Sequence, residues 1–268
     1  MKTLVTHINP HLDDIAAIWL FKKFHPAFAG AKVEFMSQSI GGKPLEESED
    51  LVYFGVGRGR FDEHKGDLKD CATSLVWKEI KESELLKIEI EQLALEKLVE
   101  WVRLIDLGQS PVENDSFSVP AFIRPFKSSQ EDSLEGLRLG VAILDRILEV
   151  LKKEQQSLKD WQERVEFTSK FGKSVAIKSK TVNRAFCANQ GGELFIMMDP
   201  KYGSTQYFTP VEEIDLEPIY NKIKMLKPQE NWYLHQSHHM VIKGSGSAPD
   251  AVPTKLTFEQ LIEIAKSI

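Results

Sequence analysis

The stretch Thr6–Asp14, T-H-I-N-P-H-L-D-D, constrains this chain more than any other. A short apolar run, Leu4–Val5, flanked by Thr3 and Thr6, precedes it. A helical pattern, Ile15–Phe24, with apolar residues at spacings of three and four, follows it. A strand that hands over directly to a helix opens an α/β unit, and here the handover carries two histidines and two aspartates. Ionisable groups so crowded are costly unless they are paired or bind a cation, and a divalent metal is the natural candidate.

Onward, strands and helices alternate. Pro26 stops the first helix, and Lys32–Phe35 reads as a second strand. Ser37–Asp50 is polar, with Gly41–Gly42 and Pro44, and reads as a loop or short helix. Leu51–Val56 reads as a third strand, running into Gly57-Arg58-Gly59-Arg60 and then Phe61-Asp62-Glu63-His64. Helices are expected over Cys71–Ile80 and in the amphipathic Ser83–Leu107, which ends at Asp106 before Gly108 and Pro111. Ser116–Lys127 reads as a loop, and Leu134–Lys153 as a helix continued through Val165.

The character changes near Thr168. Strands are expected at Ser174–Ile177, Val182–Cys187, Leu194–Met198 and Gln206–Thr209, with Gly191–Gly192 as a hairpin turn between the second and third. A helix over Glu217–Leu226, a strand at Trp232–Leu234 and a C-terminal helix over Thr257–Ser267, capped by Thr257, complete the chain. The expectation is an α/β protein: a Rossmann-like, parallel-sheet N-terminal domain over 1–168, then a smaller α+β domain over 169–268.

Composition removes several function classes. With 42% hydrophobic and 28% charged residues in 268, the chain can bury a core. No window approaches the ~18 apolar residues of a membrane span, and the polar Thr6–Asp14 interrupts any signal-peptide pattern. Cys71 and Cys187 are widely separated, so a reducing cytoplasm is expected rather than a disulfide framework. A net charge of −6 argues against a protein that coats DNA, yet is compatible with an enzyme acting on a nucleotide or short oligonucleotide.

Ligands of parallel α/β sheets gather at the carboxyl ends of the strands. Three polar groups are expected there: His7–Asp14 after the first strand, Asp62–His64 after the third, and Asp106. Each alone reads as ordinary structure: a hydrogen-bonded strand end, helix N-terminal charges, a solvated turn, a helix-end carboxylate. Together, in this order, they read as a site whose mixed imidazole and carboxylate ligands suit Mn²⁺, Fe²⁺ or Zn²⁺.

The same residues carry a family resemblance. His7-Ile8-Asn9-Pro10-His11-Leu12-Asp13 resembles the first motif of the DHH phosphoesterase superfamily, His-x-Asn-Pro-Asp-x-Asp, with His11 in place of the first aspartate. Asp62-Glu63-His64 is similar to the Asp-His-His motif, with Glu63 for the first histidine. Ala72-Thr73-Ser74-Leu75-Val76 resembles the small-residue helix that follows, and Leu104-Ile105-Asp106-Leu107-Gly108 the later aspartate motif. Within that superfamily the pattern most resembles the Myg-type 3′–5′ exonuclease-like branch, which has a histidine before the motif I acid and an acid just after it, as in His11-Leu12-Asp13-Asp14.

That resemblance implies His7, His11, Asp13, Glu63 and Asp106 as ligands of a divalent metal, Mn²⁺ first, with Mg²⁺ or Zn²⁺ as alternatives. It implies Asp62 as an orienting group, His64 facing the scissile phosphate, and Asp14 as an acid available to the site. Arg58, Arg60 and Lys65 are candidates for holding phosphate oxygens. His235, His238, His239, Lys243, Gly244, Ser245 and Gly246 are candidates for the substrate side. The reaction implied is metal-assisted phosphoester hydrolysis by activated water, with no covalent enzyme intermediate.

One departure stands out. The superfamily has an aspartate bridging two metals at the end of the third strand, and this chain has Gly55. A single metal, a water bridge, recruitment of Asp14, or loss of catalysis would each accommodate it. Two rivals follow. His11-Leu12-Asp13-Asp14 also resembles the His-Pro-Asp-Asp motif of LmbE/PIG-L-type zinc N-deacetylases, which tolerates Gly55 but leaves Asp62–His64 and Asp106 unused. The other rival is a catalytically degenerate nucleotide-binding module.

Overall fold

The first strand, β1 (Thr3–His7), is the middle strand of a three-stranded parallel sheet. The computed structural model describes residues 1–37, 44–66, 69–83, 85–110, 115–245, 247–248 and 250–268. β1 is flanked by β2 (Lys32–Met36), in register Thr3 to Lys32, and by β3 (Leu51–Tyr53), in register Thr3 to Leu51. Parallel neighbours need a crossover, and α1 (Leu12–Phe24) supplies it between β1 and β2. Leu12 through Phe21 are all buried, so α1 is a core helix rather than a surface one.

α1 packs against α2 (Ala72–Glu82) and α3 (Glu89–Asp106). A short α4 (Val119–Ile123) starts where Ser118 accepts a hydrogen bond from the Ala121 amide, inside the segment expected to be a loop. α5 (Gln130–Asp160) approaches α1 closely at Gly140, where a Cβ would lie 2.7 Å from Ile15 Cγ2. The Trp19 indole fixes the same pair of helices by donating to Asp145 at 2.9 Å.

The chain divides into two units, Met1–Lys152 and Lys153–Ile268. The second is built on a six-stranded mixed sheet, in order β4-β5-β6-β7-β9-β8. Its strands are β4 (Val165–Ser169), β5 (Gly172–Lys178), β6 (Leu194–Asp199), β7 (Ser204–Phe208), β8 (Tyr233–Leu234) and β9 (Met240–Lys243). Alternation along the strands splits two cores. Ala176, Leu194, Ile196, Tyr207 and Val241 pack with α7 (Glu217–Leu226) and α8 (Phe258–Lys266). Val175, Ile177, Phe195 and Met197 pack with Trp161, Val182 and Cys187. The α/β class, with a parallel-sheet first part and a smaller α+β second part, is therefore present.

Three further local expectations are overturned. Val182–Cys187 is not a strand: Asn183 accepts from the Phe186 amide and starts a short helix, α6 (Arg184–Ala188). Consequently Gly191–Gly192 is no hairpin turn. β5 and β6 are parallel neighbours, which a two-residue turn cannot join. The long helix ends at Asp160 rather than Val165, because the Asp160 carboxylate is held by Ser179, Thr181 and Gln156 while Val165 enters β4. Residues 38–43 of the stretch expected to be a loop or short helix lie outside the described residues. Among the described residues no helix is long and apolar enough to cross a membrane.

Candidate metal centre

The handover from β1 to α1 is shaped by Asn9, which sits at φ 60°, a conformation asparagine tolerates better than most residues. Its amide donates to Ser133 Oγ at 3.1 Å and its side chain to Ser128 Oγ at 2.8 Å, anchoring the loop. His11 is the N-cap of α1 and its amide donates to Asp14 Oδ2 at 2.8 Å. Asp13 and Asp14 therefore stand in the first turn, both buried.

The two acids face different partners. Asp13 Oδ2 and Oδ1 accept from the amides of Ala72 and Thr73, each at 2.8 Å, so Asp13 closes the N-terminus of α2. Asp14 accepts from Thr6 Oγ1 at 3.2 Å and pairs with His7 Nε2 at 2.9 Å. Burial alone would raise both carboxyls. For Asp14 the His7 hydrogen bond and charge outweigh it and hold the group below its ordinary value. For Asp13 burial, reinforced by Asp14, prevails and the group is raised. Burial works to discharge His7, but Asp14 and the Ile8 carbonyl keep its imidazole charged, with a pKa pushed up to about 9.

The turn after β3 brings the second group. Phe54 stacks on Phe61 at 5.3 Å, and Phe21 meets both edge-on. The Gly55 amide donates to the Phe61 carbonyl, which closes the turn over that aromatic base. Asp62, 2% exposed, accepts from the Arg58 amide at 2.6 Å and the His64 amide at 3.0 Å, and holds His64 Nδ1 at 2.8 Å. His64 is raised because Asp62, Glu63 and Asp14 together overcome its burial. Glu63 is half-buried, and burial with the charges of Asp13 and Asp106 pushes its carboxyl up to about 8. Its Oε2 is buried without a hydrogen-bond partner.

Among the described residues of the first unit, ligand-type atoms form three groups, the atoms of each lying within 4.8 Å of one another: His7, His11 and Asp14; Asp13, Cys71 and Asp106; Asp62, Glu63 and His64; in the second unit Asp215, Glu217 and His238 form another. Mutual electrostatic influence runs between the groups of the first unit, from Glu63 to His7, Asp13 and Asp106, and from Asp14 to His64. The donor set suits a divalent cation. An orphaned Glu63 carboxylate oxygen near the raised Asp13 is what a cation would satisfy, and imidazole with carboxylate is a common transition-metal set. Sequence reasoning misses Cys71, since a lone cysteine before a helix gives no spacing signal. Burial and the neighbouring Asp13 and Asp106 raise its thiol, so it stays protonated.

Gly55 acquires a specific meaning here. Its backbone is at φ 60°, and a Cβ built on it would lie 2.1 Å from Asp14 Oδ1. The Asp14 carboxylate occupies the space that a side chain at position 55 would need.

The remaining candidates are engaged otherwise. Arg60 pairs with Glu47 and Glu79 at 3.3 and 3.1 Å and lies over the Phe61 ring. Lys65 donates to the Gly59 carbonyl. Arg58 is exposed at φ 55°. In the second unit, His235 bonds Ser237, His238 pairs with Asp215 at 3.0 Å, and His239 reaches the Glu212 carbonyl. Lys243, 7% exposed, and Gly244 line a cavity of about 610 Å³ in that unit, with Ser245 following them; Gly246 lies outside the described residues.

No family model matches the chain, and no curated protein matches it in sequence. Among solved structures, RecJ from Thermus thermophilus, determined in complex with Mg²⁺, is similar at a TM-score of 0.35 and 10% identity. The match covers 99% of this chain and 49% of RecJ, so the chain spans about half of that protein's length. A likeness of this degree fixes neither family nor activity.

Proposed function

We propose that the chain is a divalent-metal-dependent phosphoesterase acting on a nucleotide or short oligonucleotide. The observation that supports this most is Glu63: a buried, unpartnered carboxylate oxygen beside the acids Asp13 and Asp106. His11, Asp13, Glu63 and Asp106 would hold the metal, with His7 joining them only once its imidazole has lost its proton; Mn²⁺ is the first to test. A bound divalent cation supplies activation of water and neutralises phosphoryl oxygens.

The chain's own groups do the rest. Asp13 is fixed by two α2 amides, so its carboxylate needs no reorganisation on binding. Asp62 holds His64 by Nδ1, leaving Nε2 to face a phosphoryl oxygen or a leaving group. Asp14 takes over the place of the acid that the DHH-like pattern has at Gly55. This moves the carboxylate from the end of the third strand to the first turn of α1.

Elemental analysis of protein purified without chelator, followed by incubation with Mn²⁺ and an end-labelled oligonucleotide, tests the reading. Stoichiometric metal and released mononucleotides are expected, and Asp13→Ala should abolish both. Zn²⁺-dependent hydrolysis of an N-acetyl sugar, with no nucleotide released, would replace this reading by a deacetylase. Nucleotide binding without turnover of either substrate would replace it by a binding module.

A further inference from the structure

Beside the acidic cluster, wholly within the first unit, lies a cavity of about 210 Å³. Its walls are aliphatic: Leu12, Val102, Ile105 and Ile123, with the rings of Pro10 and Pro120. One edge is formed by His11, Asp13 and Asp106, three of the residues given to the metal above. Arg124 also lines it and, among the described residues, is its only lysine or arginine. Arg124 is exposed and makes no hydrogen bond or ion pair among the described residues.

The α4 wall is built rather than incidental. Ser118 caps the helix. α5 comes so close that a Cβ at Gly136 would lie 2.6 Å from the Ile123 carbonyl oxygen. That contact fixes Ile123, and with it the backbone that carries Arg124.

Size and lining together select an occupant. An apolar cavity of about 150 Å³ accepts benzene, whereas drug-sized ligands need about 300 Å³ or more. The present cavity therefore takes one ring system. Aliphatic and proline surfaces meet a flat ring by dispersion and ask nothing of its polar atoms. A guanidinium at the wall, in contrast, calls for acceptors on that ring's edge. A flat ring with acceptor edges, tethered to a group at the acidic cluster, is a nucleobase on a metal-held phosphate.

We propose that this cavity seats the single unpaired base of a terminal nucleotide, with Arg124 donating to its acceptor edge. The proposal rests on the phosphoesterase reading above and narrows it: a base in a duplex cannot enter a one-ring cavity, so the substrate end is single-stranded.

The test uses the full chain loaded with Mn²⁺, metal content verified, and calorimetric titration with uridine 5′-monophosphate, ribose 5-phosphate and inorganic phosphate. The mononucleotide should bind about a hundredfold more tightly than ribose 5-phosphate, roughly tenfold from one charge-assisted hydrogen bond and the rest from the ring contact. Arg124→Ala should weaken the mononucleotide about tenfold, while leaving ribose 5-phosphate and Mn²⁺ content unchanged. Because Arg124 is exposed, this variant is expected to fold, and Arg124→Lys should recover only part of the loss. Mn²⁺ uptake with equal affinity for all three probes overturns the base pocket and leaves the metal reading standing. So does an Arg124→Ala variant that binds the mononucleotide as well as the wild type. A chain that takes up no Mn²⁺ overturns the metal reading, and this proposal falls with it.

Discussion

Replacing Gly55 by alanine adds one methyl group, and the structure makes that methyl group expensive. At φ 60° a side chain costs about 1–2 kcal/mol in backbone conformation alone. The larger cost is steric, because the new Cβ would fall 2.1 Å from Asp14 Oδ1 and the carboxylate must move. Moving it disturbs the bonds from Thr6 Oγ1, the His11 amide and His7 Nε2 at 3.2, 2.8 and 2.9 Å. Hydrogen bonds to a charged group are worth about 1.5–3 kcal/mol each, so losing even one brings the total to about 3–5 kcal/mol. That is a large part of the ordinary stability of a domain.

A double-mutant cycle separates the two contributions. Asp14→Ala removes the obstacle, so Gly55→Ala added to it should cost only the backbone term of about 1–2 kcal/mol. Urea unfolding monitored by near-ultraviolet circular dichroism, with amide exchange of α1 and β1 to assign the transition to the first unit, measures all four corners. The expected coupling is about 2 kcal/mol or more in the direction of mutual relief. Strictly additive effects would refute the claim that the Asp14 carboxylate fills the space beside Gly55. With it would go the proposal that Asp14 stands in for an acid at position 55.

Three further outcomes are expected. Because the Glu63 carboxyl is raised to about 8 from an ordinary 4.5, the metal-free protein gains stability from it below pH 4.5 and loses that gain as pH rises through 8. Glu63→Gln should flatten this limb in pH-dependent melts and also weaken Mn²⁺ uptake. In the second unit, burial opposes ionisation of Asp160, but bonds from Ser179, Gln156 and Thr181 win and lower it from 3.8. Its contribution is complete above 3.8 and lost as pH falls through the lower folded value, so Asp160→Asn should remove part of the acid sensitivity in an acid titration followed by circular dichroism. Gly140→Val should destabilise the first unit by about 1–3 kcal/mol in denaturant titration, since its Cβ would meet Ile15 Cγ2 at 2.7 Å.

What could be read from sequence divides along a physical line. β1, α1 and α2 were legible because their signals are local: an apolar period, a proline stop, carboxylates at a helix start. The β5–β6 pair was not, because parallel pairing is decided by contacts far along the chain. Gly191–Gly192 offers a locally plausible hairpin that the sheet does not use. Asn183 was the missed signal: its side chain caps α6, and a cap three residues before Phe186 argues for helix, even where valine and phenylalanine suggest strand. The candidate site shows the same division. His7, His11, Asp13 and Asp14 lie within eight residues and their crowding is visible in the sequence, whereas Cys71 and Arg124 carry no spacing pattern and join only through packing.

Gly55 shows how far such a reading reaches. Set against the DHH-type motifs that the sequence resembles, the glycine reads as a missing acid and as lost chemistry. As structure, the same glycine sits 41 positions from Asp14 and touches it, so the two residues form one unit. A carboxylate delivered from the first turn of α1 differs from one delivered by a strand. It is anchored by the His11 amide and Thr6 and already neutralised by His7, with Asp14 held ionised. A cation entering the cluster must therefore displace a charged imidazole from Asp14, whereas at Asp13 and Glu63, both raised acids, it has only to displace a proton. Asp13 and Glu63 should accordingly dominate metal affinity, with Asp14 contributing only once His7 gives up its proton. In competition titrations with a metallochromic chelator, Asp13→Asn and Glu63→Gln should then weaken Mn²⁺ binding more than Asp14→Asn at about pH 7, where His7 is still charged. The gap should close above about pH 9, where His7 is neutral. A gap that stays constant across that range would show that His7 does not guard Asp14.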